Sequence, residues 1–303
     1  MRRKYLEYLR SIRNLSPNTI SSYEKDLSVY VAFLAERGYD EKTLEARQVR
    51  EFVSFLSRKS LSPKSINRIL SCIRGYYRFQ ERYGYSGSNP FAGIRSLKAE
   101  KWLPQFLFEE ETEELLGLAD DGIIDGLRDR LIFEFLYSTG ARVAEAVAID
   151  VTEINLRDGT VKVFGKGRKE RIVYLGEKAV EVCRKYMSAR TTFLRKHPHE
   201  GEATAALFVN KNGKRLTTRG VRTIFAKYIQ KMRVAKHVTP HTMRHTFATH
   251  ILNRGADIRV VQELLGHASL STTQVYTHVG IQRLKNVYQT AHPHAHIGEK
   301  ETG

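Results

Sequence analysis

Residues 83–106, YGYSGSNPFAGIRSLKAEKWLPQF, carry no helical period and are punctuated by Gly, Ser, Asn and Pro. On either side of them apolar residues recur at helical spacing. A chain written this way cannot carry one helical array across the break, so it must bury two separate apolar faces. With 303 residues, 41% of them hydrophobic, there is enough chain for a core on each side. The expected organisation is a helical domain over 1–90, a linker over 91–106, a second domain over 107–291 and a flexible tail over 292–303.

The first part opens two helices in the same way. Ser16-Pro17 and Ser62-Pro63 each place a capping Ser before a Pro at the first helical position. After Pro17, Ile20, Tyr23, Leu27, Val31 and Leu34 keep one face until Gly38 stops the helix. After Pro63, Ile66, Ile69, Leu70, Ile73, Tyr76 and Tyr77 do the same, and Val49 to Leu56 reads as a helix between the two. In the second part EEETEELL gives a helix an acidic first turn. Asp129–Tyr137 and Arg142–Ala148 are two further helices, broken at Gly140. The period then changes: Val161–Phe164 and Arg171–Tyr174 alternate around GKGRKE, a hairpin signal. Helices are expected over about 177–195, 217–232, 241–254 and 258–265, with a short strand at Leu207–Val209 between the first two. The fold class is mainly α, with a small antiparallel sheet in the second domain.

The formal net charge of +17, about half of it in the first ~90 residues, points to a polyanionic partner, and nucleic acid is the commonest. The basic residues are spread along the chain instead of gathering on one amphipathic helix or beside a lipidation signal, which places an anionic membrane surface second. Two cysteines, Cys72 and Cys183, make neither a disulfide framework nor a metal cluster. The N-terminus lacks an apolar h-region and no window approaches the ~20 apolar residues of a membrane span, so a cytoplasmic chain is expected.

Four stretches carry residues suited to chemistry on phosphate. STGARVAEAVAID puts Arg142 just past a Gly turn, with Glu145 three residues on to orient its planar fork. VFGKGRKERIV is a hairpin with four basic residues, able to deliver Lys166 to a reacting atom, with Arg168 and Lys169 beside it. VTPHTMRHTFATHILNRG sets His241 and Arg244 on one helical face after Pro240, while His245 points elsewhere. LLGHASLSTTQVYTHV adds His267 and Tyr276 in a polar segment where a core helix would keep an apolar stripe. Taken singly, each has an ordinary structural explanation: a surface ion pair, a charged turn, a capping His, one more of the 15 Tyr.

As a series they are specific. Arg142, Lys166, His241-x-x-Arg244, His267 and Tyr276 together resemble the tyrosine recombinase (phage integrase) family. GKGRKER, HTMRHTFATHILNRGADIRVVQELLGHASLSTTQVYTH and the ending AHPHA are close to its Xer group, the AHP ending being nearer to the XerC branch than to XerD. The resemblance covers nearly the whole chain. It implies a SAM-like, four-helix core-binding domain and the integrase catalytic fold. It implies that Tyr276 attacks the scissile phosphate to form a 3′-phosphotyrosyl link, that Arg142 and Arg244 hold the non-bridging oxygens, and that Lys166 protonates the leaving 5′-oxygen. His241 and His267 bind the phosphate and one of them takes the Tyr proton, with Glu145 behind Arg142. Neither metal nor ATP is required, since the covalent link keeps the phosphodiester energy.

The resemblance further implies double-stranded DNA as substrate, two duplexes in synapsis and a Holliday junction. It implies a homo- or hetero-tetramer with a second Xer-type recombinase, formed by cyclic exchange of the C-terminal helix, with Leu284 and Val287 as anchors, and a possible DNA translocase as activator. DNA contacts are expected from Lys64, Arg68 and Arg78 on one helix and from Thr217, Arg219, Arg222 and Lys227 on another. HPHAH (His292, His294, His296) suggests a metal site, but no Cys or acid completes it in the sequence. The implied task is resolution of chromosome or plasmid dimers at a dif-like site at cell division, in a prokaryotic cytoplasm at the nucleoid. A mobile-element integrase of the same chemistry, a non-catalytic helical DNA-binding regulator and a type IB topoisomerase-like relaxing enzyme are the alternatives.

Overall fold

The computed structural model describes residues 1–98, 105–119, 122–165, 169–196, 204–232, 238–266 and 278–296, the last with side chains from 283. The chain divides into two compact units, Met1–Trp102 and Leu103–Gly303.

The first unit has helices α1 (Arg2–Ser11), α2 (Pro17–Arg37), α3 (Ala46–Arg58) and α4 (Pro63–Arg82). Ser16 and Ser62 accept hydrogen bonds from the amides of Thr19 and Ser65, both at 3.3 Å, and cap α2 and α4 as their Ser-Pro starts predict. Gly38 ends α2 with φ +67°, a conformation glycine takes without strain. Helix α1 is a fourth helix that apolar periodicity did not single out. Half of its ten residues are charged and only Tyr5 and Leu9 are buried, with Leu6 and Tyr8 partly so. The core is aromatic: Phe33, Phe52, Tyr76, Tyr77 and Phe91 are all essentially inaccessible.

Phe91 modifies the expected linker over 91–106. It stacks its edge on Tyr30 and Phe52, and the Asn67 side chain bonds both the amide and the carbonyl of Leu97, at 2.7 and 2.8 Å. The non-helical chain is therefore pinned to the first unit as far as Leu97. One buried aromatic and one amide bridge are enough to hold a segment whose composition reads as loop.

The second unit contains α5 (Glu109–Gly117), α6 (Ile124–Thr139), α7 (Val143–Ala148), α8 (Glu177–Lys196), α9 (Thr218–Ile229), α10 (Pro240–Asn253), α11 (Ile258–Leu265) and α12 (His278–Ala291). Strands β1 (Ile154–Asn155), β2 (Thr160–Phe164) and β3 (Glu170–Tyr174) form an antiparallel sheet in the order β1-β2-β3. Helix α6 is buried on nearly every side and packs against α8 and α10, so it is the axis of the unit. The predicted strand Leu207–Val209 is not one. Ala206 and Val209 make single bridges to Asp150 and Arg215.

Helix α12 packs on its own unit, where Leu284 and Tyr288 join Phe247, Ile251 and Val261, with Val287 at the margin. The chain after it departs from the flexible tail expected from residue 292. His292 and His294 are 3% and 2% exposed. The Nε2 of His292 bonds the Tyr137 carbonyl at 3.1 Å, and the two ring nitrogens of His294 meet Glu134 at 3.0 Å and Glu113 at 2.6 Å. Glu134 of α6 and Glu113 of α5 are thus hydrogen-bond partners of His294, and among the described residues no group of three or more His, Cys, Asp or Glu could hold a metal ion. The His294 carbonyl lies so close to Gly176 that any side chain there would collide with it.

Candidate active site

The site begins where α6 ends. Gly140 terminates that helix with φ +58°, and Arg142 opens α7 two residues later. The Glu145 carboxylate reaches back to the Arg142 amide at 2.8 Å, as an acidic third residue does at a helix start, and also accepts from the Arg142 guanidinium at 2.8 Å. The pairing expected at i,i+3 is present, but it is not a surface pair. Glu145 is buried and Arg142 keeps 45% of its side chain exposed. One edge of the guanidinium is held and the rest faces out.

The second partner of Glu145 is Arg171, the last of the four basic residues of the hairpin. It donates to both carboxylate oxygens, at 3.0 and 2.8 Å, with only 6% of its side chain exposed. The register of β3 in the folded sheet decides this placement. Side chains alternate along a strand, so a register that turns Val173 inward also turns Arg171 inward and leaves Ile172 out, where it is 39% exposed.

Arg244 sits on α10, whose N-terminus Thr239 caps with Pro240 behind it. Its guanidinium donates to the Gly140 carbonyl and the Leu265 carbonyl, both at 2.7 Å. These are the C-terminal ends of α6 and α11, where unpaired carbonyls and the helix dipole favour a cation. Burial, and then the positive charge of Arg142, pull the Arg244 guanidinium down to about 10, with Glu145 opposing, so it stays charged at neutral pH. Glu145 shows the opposite balance. Burial raises its carboxyl, but the bonds and charge of Arg171 and the bonds of Arg142 outweigh that and hold it below the usual carboxylate range.

Three guanidinium groups therefore gather around one carboxylate, an arrangement with surplus positive charge and one half-exposed fork: a place for an anion with planar or tetrahedral oxygens. His241 is exposed on the first turn of α10. His245 lies edge-on to Phe106. Lys166, Arg168, His267 and Tyr276 lie outside the described residues, so the geometry here is that of Arg142, Glu145, Arg171, His241 and Arg244.

The expected DNA contacts are on the surface. Lys64, Arg68 and Arg78 are exposed on α4, as are Lys169 on the hairpin and Thr217, Arg219, Arg222 and Lys227 at α9. Two of them have structural work as well. Arg68 pairs with the buried Asp26, and the Thr217 hydroxyl caps α9. Among the described residues, no helix is long and apolar enough to cross a membrane.

Comparison with known proteins places the chain in a family. Residues 105–283 match the family model described as Phage integrase family, and residues 3–84 match the phage integrase N-terminal SAM-like domain. The chain is 40% identical over 298 residues to the tyrosine recombinase XerC of Treponema denticola, covering 96% of this chain and 98% of that one. It is 41% identical to the XerC of Bacillus subtilis and 40% identical to the XerD of Staphylococcus haemolyticus, each over 96% of this chain and at least 95% of the relative. In fold it is similar to the Tn1549 transposon integrase in complex with a circular intermediate DNA, with a TM-score of 0.71 at 18% identity over 95% and 94% of the two chains. A lambda integrase dimer bound to a core site aligns with a TM-score of 0.65 at 16% identity, over 90% and 97%.

Proposed function

The chain belongs to the phage integrase family of tyrosine recombinases, and from that premise we infer how its own residues cut and rejoin DNA at a specific site. The observation that carries the reading is the Arg142–Glu145–Arg244 cluster: two oriented guanidinium groups, one half-exposed, held beside each other with less negative charge than positive. A scissile phosphate supplies what this cluster lacks.

In the proposed reaction the Tyr276 oxygen attacks phosphorus, the bond to the 5′-oxygen breaks, and a 3′-phosphotyrosyl link forms. One of His241 and His267 takes the phenol proton, and Lys166 gives a proton to the departing 5′-oxygen. Arg142 and Arg244 hold the non-bridging oxygens as charge grows on them. Attack by a 5′-hydroxyl of the second duplex reverses the chemistry and releases Tyr276. Lys64, Arg68 and Arg78, with Arg168 and Lys169 and the α9 residues, grip the backbone and grooves. The active form is a tetramer on two duplexes, with a second Xer-type recombinase, exchanged C-terminal helices and a DNA translocase as activator. Its setting is the bacterial nucleoid, and its task is dimer resolution at a dif-like site. XerC and XerD relatives at about 40% identity favour that task over mobile-element integration.

The test uses a nicked suicide duplex carrying the candidate recombination site of the host, without metal or ATP. Wild type is expected to give a slow-migrating covalent adduct on a denaturing gel, while Tyr276→Phe binds the duplex and gives none. An adduct from both proteins would assign the attack to another residue.

A further inference from the structure

Arg171 is a cation buried where its strand-mates are Val173 and, across the ladder, Val163, with which it pairs in register. Burying a charge in this way seldom adds stability over an apolar residue of the same shape. Its Nε is buried and has no hydrogen-bond partner among the described residues. What the side chain touches suggests a different use. Its two terminal nitrogens hold both oxygens of Glu145, the carboxylate that holds Arg142. A Cβ added to Gly165 would lie 3.7 Å from Arg171 Nη1 and 3.6 Å from Glu145 Oε1. A Cβ on Gly266 would lie 3.1 Å from the Arg171 Cδ and Nε. Gly165 immediately precedes Lys166, and Gly266 immediately precedes His267.

We propose that Arg171 is a positioning residue of the recombinase centre: one buried guanidinium that fixes Glu145, and through it Arg142, while packing on the glycines that lead into Lys166 and His267. The proposal rests on the recombinase reading above. Arg171 does not touch DNA; it sets the register between the hairpin, the start of α7 and the end of α11. Bidentate donation to Glu145 needs a planar fork, which lysine lacks, so Arg171→Lys is not a neutral change.

The experiment measures adduct formation at saturating suicide duplex, DNA affinity by gel shift, and the pH dependence of cleavage. The proteins are wild type, Arg171→Met, Arg171→Lys, Glu145→Gln and the double variant Glu145→Gln/Arg171→Met. Arg171→Met is expected to bind duplex within about threefold of wild type and to cleave roughly 100-fold more slowly, the loss typical of a displaced catalytic group. Arg171→Lys falls between the two. Without Arg171, Glu145 loses the largest of the contributions that oppose its burial, so its carboxyl rises and the acid limb of the cleavage profile moves to higher pH, which a general loosening of the sheet would not produce. The double variant, which removes the buried charge along with its partner and so guards against misfolding, is expected to cleave no more slowly than Arg171→Met. A wild-type rate with an unmoved acid limb in Arg171→Met would overturn the proposal and leave the recombinase reading intact. Additive losses in the double variant would also overturn it. Absence of an adduct from wild type itself would overturn both.

Discussion

At the scale of single residues, the centre depends on where backbone carbonyls end. Arg244 is held by two of them, and one belongs to Gly140, whose φ of +58° is left-handed. A Cβ at that position would collide with the Phe247 ring and meet a Leu265 methyl at 2.8 Å. Gly140→Ala should therefore destabilise the second unit by roughly 2–4 kcal/mol, combining left-handed strain with overpacking. Because the shifted carbonyl releases Arg244, adduct formation should slow as well. Urea unfolding and the suicide-duplex assay check the two effects, and an unchanged midpoint would contradict the steric argument. Arg142, Glu145, His241 and Arg244 could be chosen from the sequence because their spacing was informative. The second partner of Glu145 could not, since i,i+3 spacing identifies only the partner on the same helix. Arg171 was read as one of four basic residues of a hairpin, and its burial follows from strand register, not from its neighbours in sequence.

At the scale of elements, helix starts and stops were the most legible feature. Ser-Pro pairs and terminal glycines act within one turn, so the starts of α2 and α4 and the end of α6 fall where local chemistry puts them, whereas α6 begins at Ile124, ahead of the expected Asp129, with no side-chain cap to mark its start. The segment after α12 was not legible, because what holds it is distant in sequence. The Nε2 of His292 donates to the Tyr137 carbonyl, and its Nδ1 accepts from the His294 amide at 3.0 Å, which fits only the neutral ring. Burial first, with His294, His250 and Arg254 adding to it and the Tyr137 carbonyl opposing, pulls the His292 imidazole from 6.5 down to about 3. The unfolded segment thus binds a proton that the packed one refuses, so packing weakens as pH falls through that window. Glu113 acts in the same direction at lower pH. Burial raises it, but its bonds to Lys178 and His294 leave it below the ordinary carboxylate value, so its contribution is lost as it protonates. Hydrogen-exchange protection of α12 should fall between pH 6.5 and about 3, and His292→Gln should flatten the upper part of that dependence. Protection unchanged with pH would mean the histidine is not what tethers the helix.

At the scale of the whole molecule, a net charge of +17 sets the terms of binding. If six to ten phosphates are neutralised by the exposed residues of α4, α9 and the hairpin, affinity should fall about 10³–10⁵-fold between 50 and 200 mM salt. Equilibrium gel shifts across that range measure the slope, and Lys64→Ala or Arg222→Ala should each reduce it by about one if each holds one phosphate. A salt-independent affinity would remove the electrostatic account. The sequence by itself determined the division into two apolar-patterned parts, most helix boundaries, the sign of the partner's charge and a set of reactive residues in a diagnostic order. The helix boundaries and apolar patterning depend on contacts within one or two turns and the charge on a sum over the chain, while the order of the reactive residues is read from the resemblance to the family. The tertiary structure alone decided which charges are buried and against what: Arg171 beneath Glu145, Arg68 against Asp26, Phe91 drawn into the first core, His292 and His294 folded under α6. Each of those contacts joins residues more than twenty positions apart. Burial there reflects the packing of whole elements, which no local pattern encodes.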